Sequence, residues 1–255
     1  MFAEPPRTQA DLCFPLLGFP VRIHPLFWLV TLLLGQAFWS PPEMALLWVA
    51  GVLVCILLHE LGHAAVLRAY GFRPWIVLHG FGGLTIHGPG DAMARRPGPW
   101  GQILISAAGP AAGFLLAAGI VAGGLAIDRG AHRFLVLWCG PASFLRVVPQ
   151  VIWLGQSPMA VVFVNILLEV SVLWGLLNLL PIFPLDGGQI AQQIFLLVTP
   201  RDAVRQSLIL SVLVAGTLAG VAAIHWHDLF LAVFFAYLAY SSYTTLRFYG
   251  GPVGW

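Results

Sequence analysis

Six long apolar segments constrain the fold of this chain more than any other feature of its sequence. They lie near residues 26–39, 45–70, 100–127, 158–180, 204–224 and 227–247. An α-helix needs about 20 apolar residues to cross the hydrocarbon core of a bilayer, and the first segment is shorter than that. Only 9% of the residues are charged, far below the share in soluble globular proteins. The sequence therefore predicts an all-α polytopic membrane protein with about six transmembrane helices in a lipid bilayer.

The arginine residues predict the orientation of these spans. The chain has 12 basic residues, and none of them is lysine. With six spans and a cytoplasmic N-terminus, only Arg129, Arg133 and Arg146 fall on the outer side, as the positive-inside rule requires. Counting the proline-interrupted segment 133–155 as a seventh span would move three more arginines outside. We therefore predict six spans, both termini in the cytoplasm, and a partly embedded connection at 133–155.

Charge and cysteine content narrow the function classes. The net charge is +2, and the arginines are scattered rather than gathered into a basic stripe, so that nucleic acid is excluded as a partner. Cys13, Cys55 and Cys139 are odd in number and scattered, which does not indicate a disulfide framework. The N-terminus lacks the basic-then-apolar order of a cleaved signal peptide, and the first apolar segment is therefore expected to be retained as a span.

A glycine-rich segment between the second and third spans predicts a β-hairpin. The runs 75–79 and 84–87 are apolar or β-prone, and they flank GFGG at 80–83. The segment FPVRIHP at 19–25 can supply a further strand beside them. Because unpaired backbone cannot lie in lipid, this small membrane-associated sheet, near 19–25 and 75–87, is expected at the inner membrane face or packed on protein.

The sequence HELGH at 59–63 places three ionisable side chains inside the second apolar segment. Residues four apart lie on one face of a helix, so that His59 and His63 can bind one metal ion. Glu60 lies about 100° around the helix from His59, where it can act as base for a metal-bound water. A charged side chain at the centre of a span costs at least about 2.5 kcal/mol, so these residues are not expected there without a function. The pattern therefore predicts a catalytic metal site.

A catalytic zinc site needs a third protein ligand, with the fourth position left for water. Val66 and Ala69 occupy the positions at which a common soluble arrangement has glycine and a third histidine. The acidic candidates that remain are Glu169, within the fourth span, and Asp186, just after it in NLLPIFPLDGG at 178–188. Asp186 is expected on the same cytoplasmic side as the two histidines, whereas Glu169 should lie about 10 Å or more deeper. Asp186 is favoured, and the role of Glu169 stays open.

Together these motifs resemble those of the site-2 protease family of intramembrane zinc metalloproteases. HELGH in an early span and NLLPIFPLDGG at the end of a later one match the two motifs of that family. The segments FGGL, AAGP and GFPVRIHP look like its auxiliary signatures. The resemblance implies that His59, His63 and Asp186 bind Zn2+, that Glu60 is the general base, and that Asn178 donates a hydrogen bond to the substrate. It also implies regulated intramembrane proteolysis of single-span membrane proteins.

The resemblance covers nearly the whole chain and implies a single transmembrane peptidase domain over 1–255. Its metal-binding core would span 45–188, and the helices at 204–247 would be accessory. Gly113 stands where many relatives have asparagine, and PDZ and CBS modules are absent. In these respects the chain resembles compact bacterial members similar to the sporulation factor protease, which implies a location in the bacterial inner membrane.

Two alternative functions remain, a non-catalytic metal-binding membrane protein and a transporter. Transporters place polar groups in several spans and often contain repeats, whereas here the ionisable groups concentrate in one helix and one loop. A serine protease is not indicated, since the chain has no G-x-S-x-G motif. For the protease, an edge of the 75–87 hairpin could pair with an unwound substrate segment as an added strand.

Overall fold

The computed structural model describes residues 4–36, 41–80, 82–88, 97–127, 134–137, 150–153 and 157–250. These residues form six strands and seven helices. In chain order the elements are β1 Leu12–Leu16, β2 Phe19–Ile23, α1 Pro25–Leu34, α2 Pro42–Ala69, β3 Trp75–His79, β4 Gly82–Ile86, α3 Pro99–Ile127, β5 Phe134–Leu137, β6 Gln150–Trp153, α4 Pro158–Asn178, α5 Asp186–Val198, α6 Ala203–Ile224 and α7 Leu229–Gly250.

Five helices within the described part of the chain, α2, α3, α4, α6 and α7, are long and apolar enough to cross a membrane. The first predicted span is shorter, because α1 has only 10 residues. A helix of that length rises about 15 Å, half of the hydrocarbon thickness. The prediction of about six spans is therefore approximate, with five spanning helices and one short apolar helix.

The segment predicted as a partly embedded connection, 133–155, contains two short paired strands. β5 and β6 are antiparallel, with Phe134 opposite Trp153. Each strand has four residues, whereas a transmembrane strand needs about 9 to 11. The described residues of this segment therefore add no seventh helical span, and the remainder of 133–155 lies outside the described residues.

Two compact units can be distinguished by internal packing. The described residues between 3 and 95 and between 108 and 176 form one, which we call the sheet unit. Those between 96 and 107 and from 177 onward form the other, which we call the C-terminal unit. The sheet unit contains both histidines of the HELGH motif, and the C-terminal unit contains Asp186.

A four-stranded sheet in the order β1-β2-β3-β4 lies in the sheet unit. β2 runs parallel to β3, and the two outer pairs are antiparallel. The predicted hairpin and the additional strand near 19–25 are therefore confirmed. β1 was not predicted, because it is largely exposed and contains Pro15, which removes the alternating apolar pattern of a half-buried strand.

The core of the sheet unit forms between the sheet and the first two helices. Ile23, Ile76 and Leu78 are fully buried, and they pack with Phe27 of α1 and Ile56 of α2. Burial of aliphatic side chains of this size stabilises by about 1.5–3 kcal/mol each. This packing fixes the sheet against the part of α2 that carries HELGH.

The C-terminal unit is built around the segment between α4 and α5. Ile182 in this segment is fully buried and packs with Phe235 and Leu238 of α7. The main-chain N–H of Phe183 donates to Oγ of Ser211 on α6 at 2.9 Å, and Oγ of Ser242 on α7 donates to the Phe183 carbonyl at 3.0 Å. Two fully buried serines thus hydrogen-bond the main-chain N–H and carbonyl of Phe183, which would be costly to leave unpaired away from water.

Candidate metal centre

The two histidines of HELGH lie one turn apart on α2, as their spacing predicts. His59 is 4% exposed and His63 is 7% exposed. Their Nε2 atoms are 3.1 Å apart, and the two rings are inclined at 77° to one another. Two imidazole nitrogens at this separation converge on one position, which is the arrangement that a shared ion requires.

Helix α3 lies against the two histidines at Gly109. A β-carbon on Gly109 would overlap Nε2 of His63 and would lie 2.7 Å from Nε2 of His59. On α2, a β-carbon on Gly62 would overlap the main-chain oxygen of Ala108. Glycines on both helices therefore let the α3 backbone approach the imidazoles. The four-residue spacing of Gly109 and Gly113 favours close helix packing, but the spacing alone does not indicate that Gly109 faces the metal site.

Glu60 is buried and lies against β4. The Thr85 hydroxyl is 2.7 Å from Oε2 of Glu60 and 3.0 Å from its main-chain oxygen. A β-carbon on Gly83 would lie 2.5 Å from both Cδ and Oε1 of Glu60. Residues two apart in a strand point to the same face, so that Gly83 makes room for the carboxylate and Thr85 hydrogen-bonds it. Neither residue was singled out by the sequence analysis.

Asp186 begins α5, directly after the broken segment that Ser211 and Ser242 support. It is 8% exposed. A β-carbon on Gly187 would overlap the carbonyl of Leu179, and one on Gly188 would lie 2.5 Å from the carbonyl carbon of Ile182. The two glycines after Asp186 therefore let the start of α5 fold closely onto the 179–182 backbone, a conformation that side chains would prevent.

His59, His63 and Asp186 each offer a ligand atom, and these atoms all lie within 4.8 Å of one another. All three residues are buried. Two imidazole nitrogens and one carboxylate oxygen form a donor set that zinc accepts in catalytic sites, with one position remaining for water. The residues present therefore fit the Zn2+ ion that the sequence predicted.

Asn178 and Glu169 lie at different positions along α4. Asn178 is the last residue of the helix and is buried. Glu169 is half-buried and lies nine residues earlier, about 13 Å along the helix axis. Within the described part of the chain, Glu169 does not join the group of metal-ligand side chains. Asp186 therefore stays the predicted third ligand.

Two histidines outside HELGH, His24 and His79, are buried, whereas His87, His225 and His227 are exposed. His24 and His79 are buried in the sheet unit. Nδ1 of His24 accepts from the Leu26 N–H at 3.2 Å and so caps α1. His79 ends β3, and its pKa is lowered first by burial and then by the nearby charges of His24 and Arg22.

Sequence comparison relates this chain to a family of peptidases. The family model described as Peptidase family M50 matches residues 47–220. Rip3 of Mycobacterium tuberculosis, which carries the name of a zinc metalloprotease, is 33% identical over 192 residues, covering 69% of this chain and 41% of the relative. A zinc metalloprotease of Methanocaldococcus jannaschii is 27% identical over 189 residues, covering 71% of this chain and 44% of the relative. The chain thus spans less than half of the length of these curated relatives.

The fold also matches a solved structure. The site-2 protease from Methanocaldococcus jannaschii superposes with a TM-score of 0.56, covering 93% of this chain and 95% of the solved one. The sequence identity is 19%, so that this likeness concerns the fold alone. The match covers both units described above.

Proposed function

The chain belongs to peptidase family M50, and on that premise we propose that it is an intramembrane zinc metalloprotease. It would hydrolyse peptide bonds in or near the transmembrane segments of single-span membrane proteins. The observation that carries the proposal is the buried group of His59, His63 and Asp186, with Glu60 next to His59 in the sequence. The protein is an integral membrane protein, and this site lies on elements flanked by its apolar helices.

Each residue of the group has a defined task in this proposal. His59, His63 and Asp186 would hold the zinc ion. When bound, zinc supplies Lewis acidity, which polarises a carbonyl group and lowers the pKa of water. Glu60 would take up the proton from the attacking water and later release it to the leaving amine. Because Thr85 holds Oε2 of Glu60, Oε1 is the oxygen that we assign to proton transfer.

Asn178 would bind the substrate. Its side-chain amide is neutral at all pH values and can donate a hydrogen bond to a peptide carbonyl. Its position at the end of α4, eight residues before Asp186 and next to the broken segment, supports this role. Donors aimed at the oxygen on which charge develops contribute strongly to acyl transfer.

The substrate backbone would pair with β4, the last strand of the described sheet. Two residues connect β3 to β4, so that His79 and Gly82 form a hydrogen-bonded pair. Hydrogen-bonded and non-hydrogen-bonded pairs alternate along antiparallel strands. The main-chain groups of Gly83 and Thr85 therefore point away from β3. A substrate helix must unwind to expose its carbonyls, and this outer edge offers partners for the unwound segment.

The layout and location follow the family expectation. We propose a single peptidase domain over 1–255, with its metal-binding core at 45–188 and accessory helices at 204–247. The arginine distribution supports cytoplasmic N- and C-termini in a bacterial inner membrane. With that orientation the HELGH end of α2 lies toward the cytoplasm.

Cleavage by the purified protein tests the proposed function. Wild type, Glu60→Gln and Glu169→Gln would be reconstituted with zinc in liposomes together with single-span substrates. We expect equal zinc content in all three, unchanged cleavage in Glu169→Gln, and a loss of about 10²- to 10⁴-fold in Glu60→Gln, since Glu60 is the assigned base. Full activity in Glu60→Gln would remove that assignment. Zinc transport without cleavage by the wild type would favour the transporter alternative.

A further inference from the structure

Thr85 contacts the proposed catalytic base from the strand that would receive the substrate. Its hydroxyl carries one hydrogen and lies within bonding distance of two oxygens of Glu60, the Oε2 atom at 2.7 Å and the main-chain oxygen at 3.0 Å. A single hydroxyl can donate to only one of them at a time. Both contacts join β4 to the same residue of α2, which restricts the rotamer of Glu60.

Gly83 completes this arrangement two residues earlier in β4. Its missing side chain leaves the space that Cγ and Cδ of Glu60 occupy. Gly83 and Thr85 thus present one face of β4 to Glu60, while their main-chain groups point to the outer edge of the sheet. The same two residues serve both the base and the edge at which a substrate strand would be added.

We propose that Thr85 is a positioning residue that links substrate pairing on β4 to the orientation of Glu60. The inference rests on the proposed protease function. The Thr85 main chain would pair with the unwound substrate, and its side chain would hold Oε2 of Glu60 so that Oε1 faces the reaction. Thr85 would thereby position both the substrate backbone and the Glu60 carboxylate. No flexible segment would separate the two contacts.

This division between main chain and side chain makes a specific kinetic prediction. Thr85→Val keeps the β-branched shape and the main-chain pairing but removes the hydroxyl. We expect kcat to fall by about 10- to 100-fold, because small displacements of a catalytic group have effects of that size, while KM changes by less than about twofold. Thr85→Ser retains the hydroxyl and should restore most of kcat.

Two measurements separate this role from a merely structural one. Zinc affinity, from chelator competition, should be the same for wild type, Thr85→Val and Thr85→Ser. Thr245→Val is a matched control, since Thr245 donates only within its own helix, to the carbonyl of Ser241 at 2.8 Å. The control should retain both kcat and KM. An unchanged kcat in Thr85→Val, a rise of KM that parallels the loss of kcat, or failure of Thr85→Ser to restore kcat would each overturn the proposal.

A double-mutant cycle tests the contact independently of catalysis. Apparent melting temperatures would be measured on metal-free protein for wild type, Thr85→Val, Glu60→Ala and the double variant. The destabilisation by Thr85→Val should be at least about twofold smaller when Glu60 is already alanine, because contacting residues couple energetically. Equal destabilisation in both backgrounds would refute the contact between the Thr85 hydroxyl and Oε2 of Glu60, since Glu60→Ala leaves the main-chain oxygen in place. If the wild type cleaved no substrate, the proposed function would fail, and the cycle would still decide whether Thr85 holds Glu60.

Discussion

Gly109 and His63 are so close that a β-carbon on the glycine would overlap Nε2 of the histidine. Gly109→Ala should therefore displace one or both imidazoles. Since ligand orientation governs metal binding, we expect a loss of zinc affinity of about 10- to 100-fold, measured by chelator competition. Gly119→Ala is the matched control, because it lies on the same helix and a β-carbon there meets no atom within 4 Å. That variant should bind zinc normally, and equal zinc affinity in both variants would contradict the assigned site.

The third ligand can be identified by substitution of the two acidic candidates. Asp186→Ala removes a ligand atom from the buried group and should abolish stoichiometric zinc binding. Glu169→Gln preserves the shape of the side chain and should leave zinc content unchanged. Both are measured by elemental analysis of purified protein. The reverse pattern, with zinc lost only in Glu169→Gln, would make Glu169 the ligand.

Ser242 and Ser211 should affect zinc binding without contacting the ion. Ser242→Ala leaves the partly buried carbonyl of Phe183 without its 3.0 Å hydrogen bond, at a cost of about 1–3 kcal/mol. The segment that leads to Asp186 is then less well fixed, so both the melting temperature and zinc affinity should decrease. Ser241→Ala changes the neighbouring residue of the same helix and serves as control. A melting temperature lowered equally by both substitutions would show that the Phe183 contact has no special role.

Stability should decline in mildly acidic solution because of His79. Its pKa is lowered in the folded protein by burial and by His24 and Arg22, so that the unfolded chain binds the additional proton more readily. Burial of the neutral imidazole therefore costs nothing in stability above the pKa of the unfolded chain, about 6.5. Below that pH the unfolded chain takes up the proton, and the free energy of unfolding decreases. Melting temperatures between pH 7.5 and 5.5 should fall less in His79→Gln than in wild type. His225→Gln, at an exposed position, should behave as wild type.

The histidine pair and the β3–β4 hairpin could be predicted because their signals are local. His59 and His63 lie four residues apart in an apolar helix, so that helix geometry alone places them on one face. The hairpin at β3 and β4 follows from short apolar runs on either side of glycine. In both cases the contacts that matter join residues close in sequence.

Contacts between distant segments were not predictable in the same way. Thr85 lies 25 residues from Glu60, and only the packing of β4 on α2 brings their oxygens to 2.7 Å. The spacing of Gly109 and Gly113 favours packing against another helix, but it does not indicate which side chain lies opposite. The helix α5 was missed because Asp186 and its two glycines indicate a turn more strongly than a helix start.

The hydrogen bonds that join Phe183 to Ser211 and Ser242 have a consequence for the order of biosynthesis. Ser242 lies 56 positions after Asp186 in the chain. The segment that carries Asp186 can acquire both of its supporting contacts only when the ribosome has completed α7 and the helix has entered the membrane. A nascent chain that already contains HELGH and Asp186 is therefore expected to bind zinc weakly until α7 is in place.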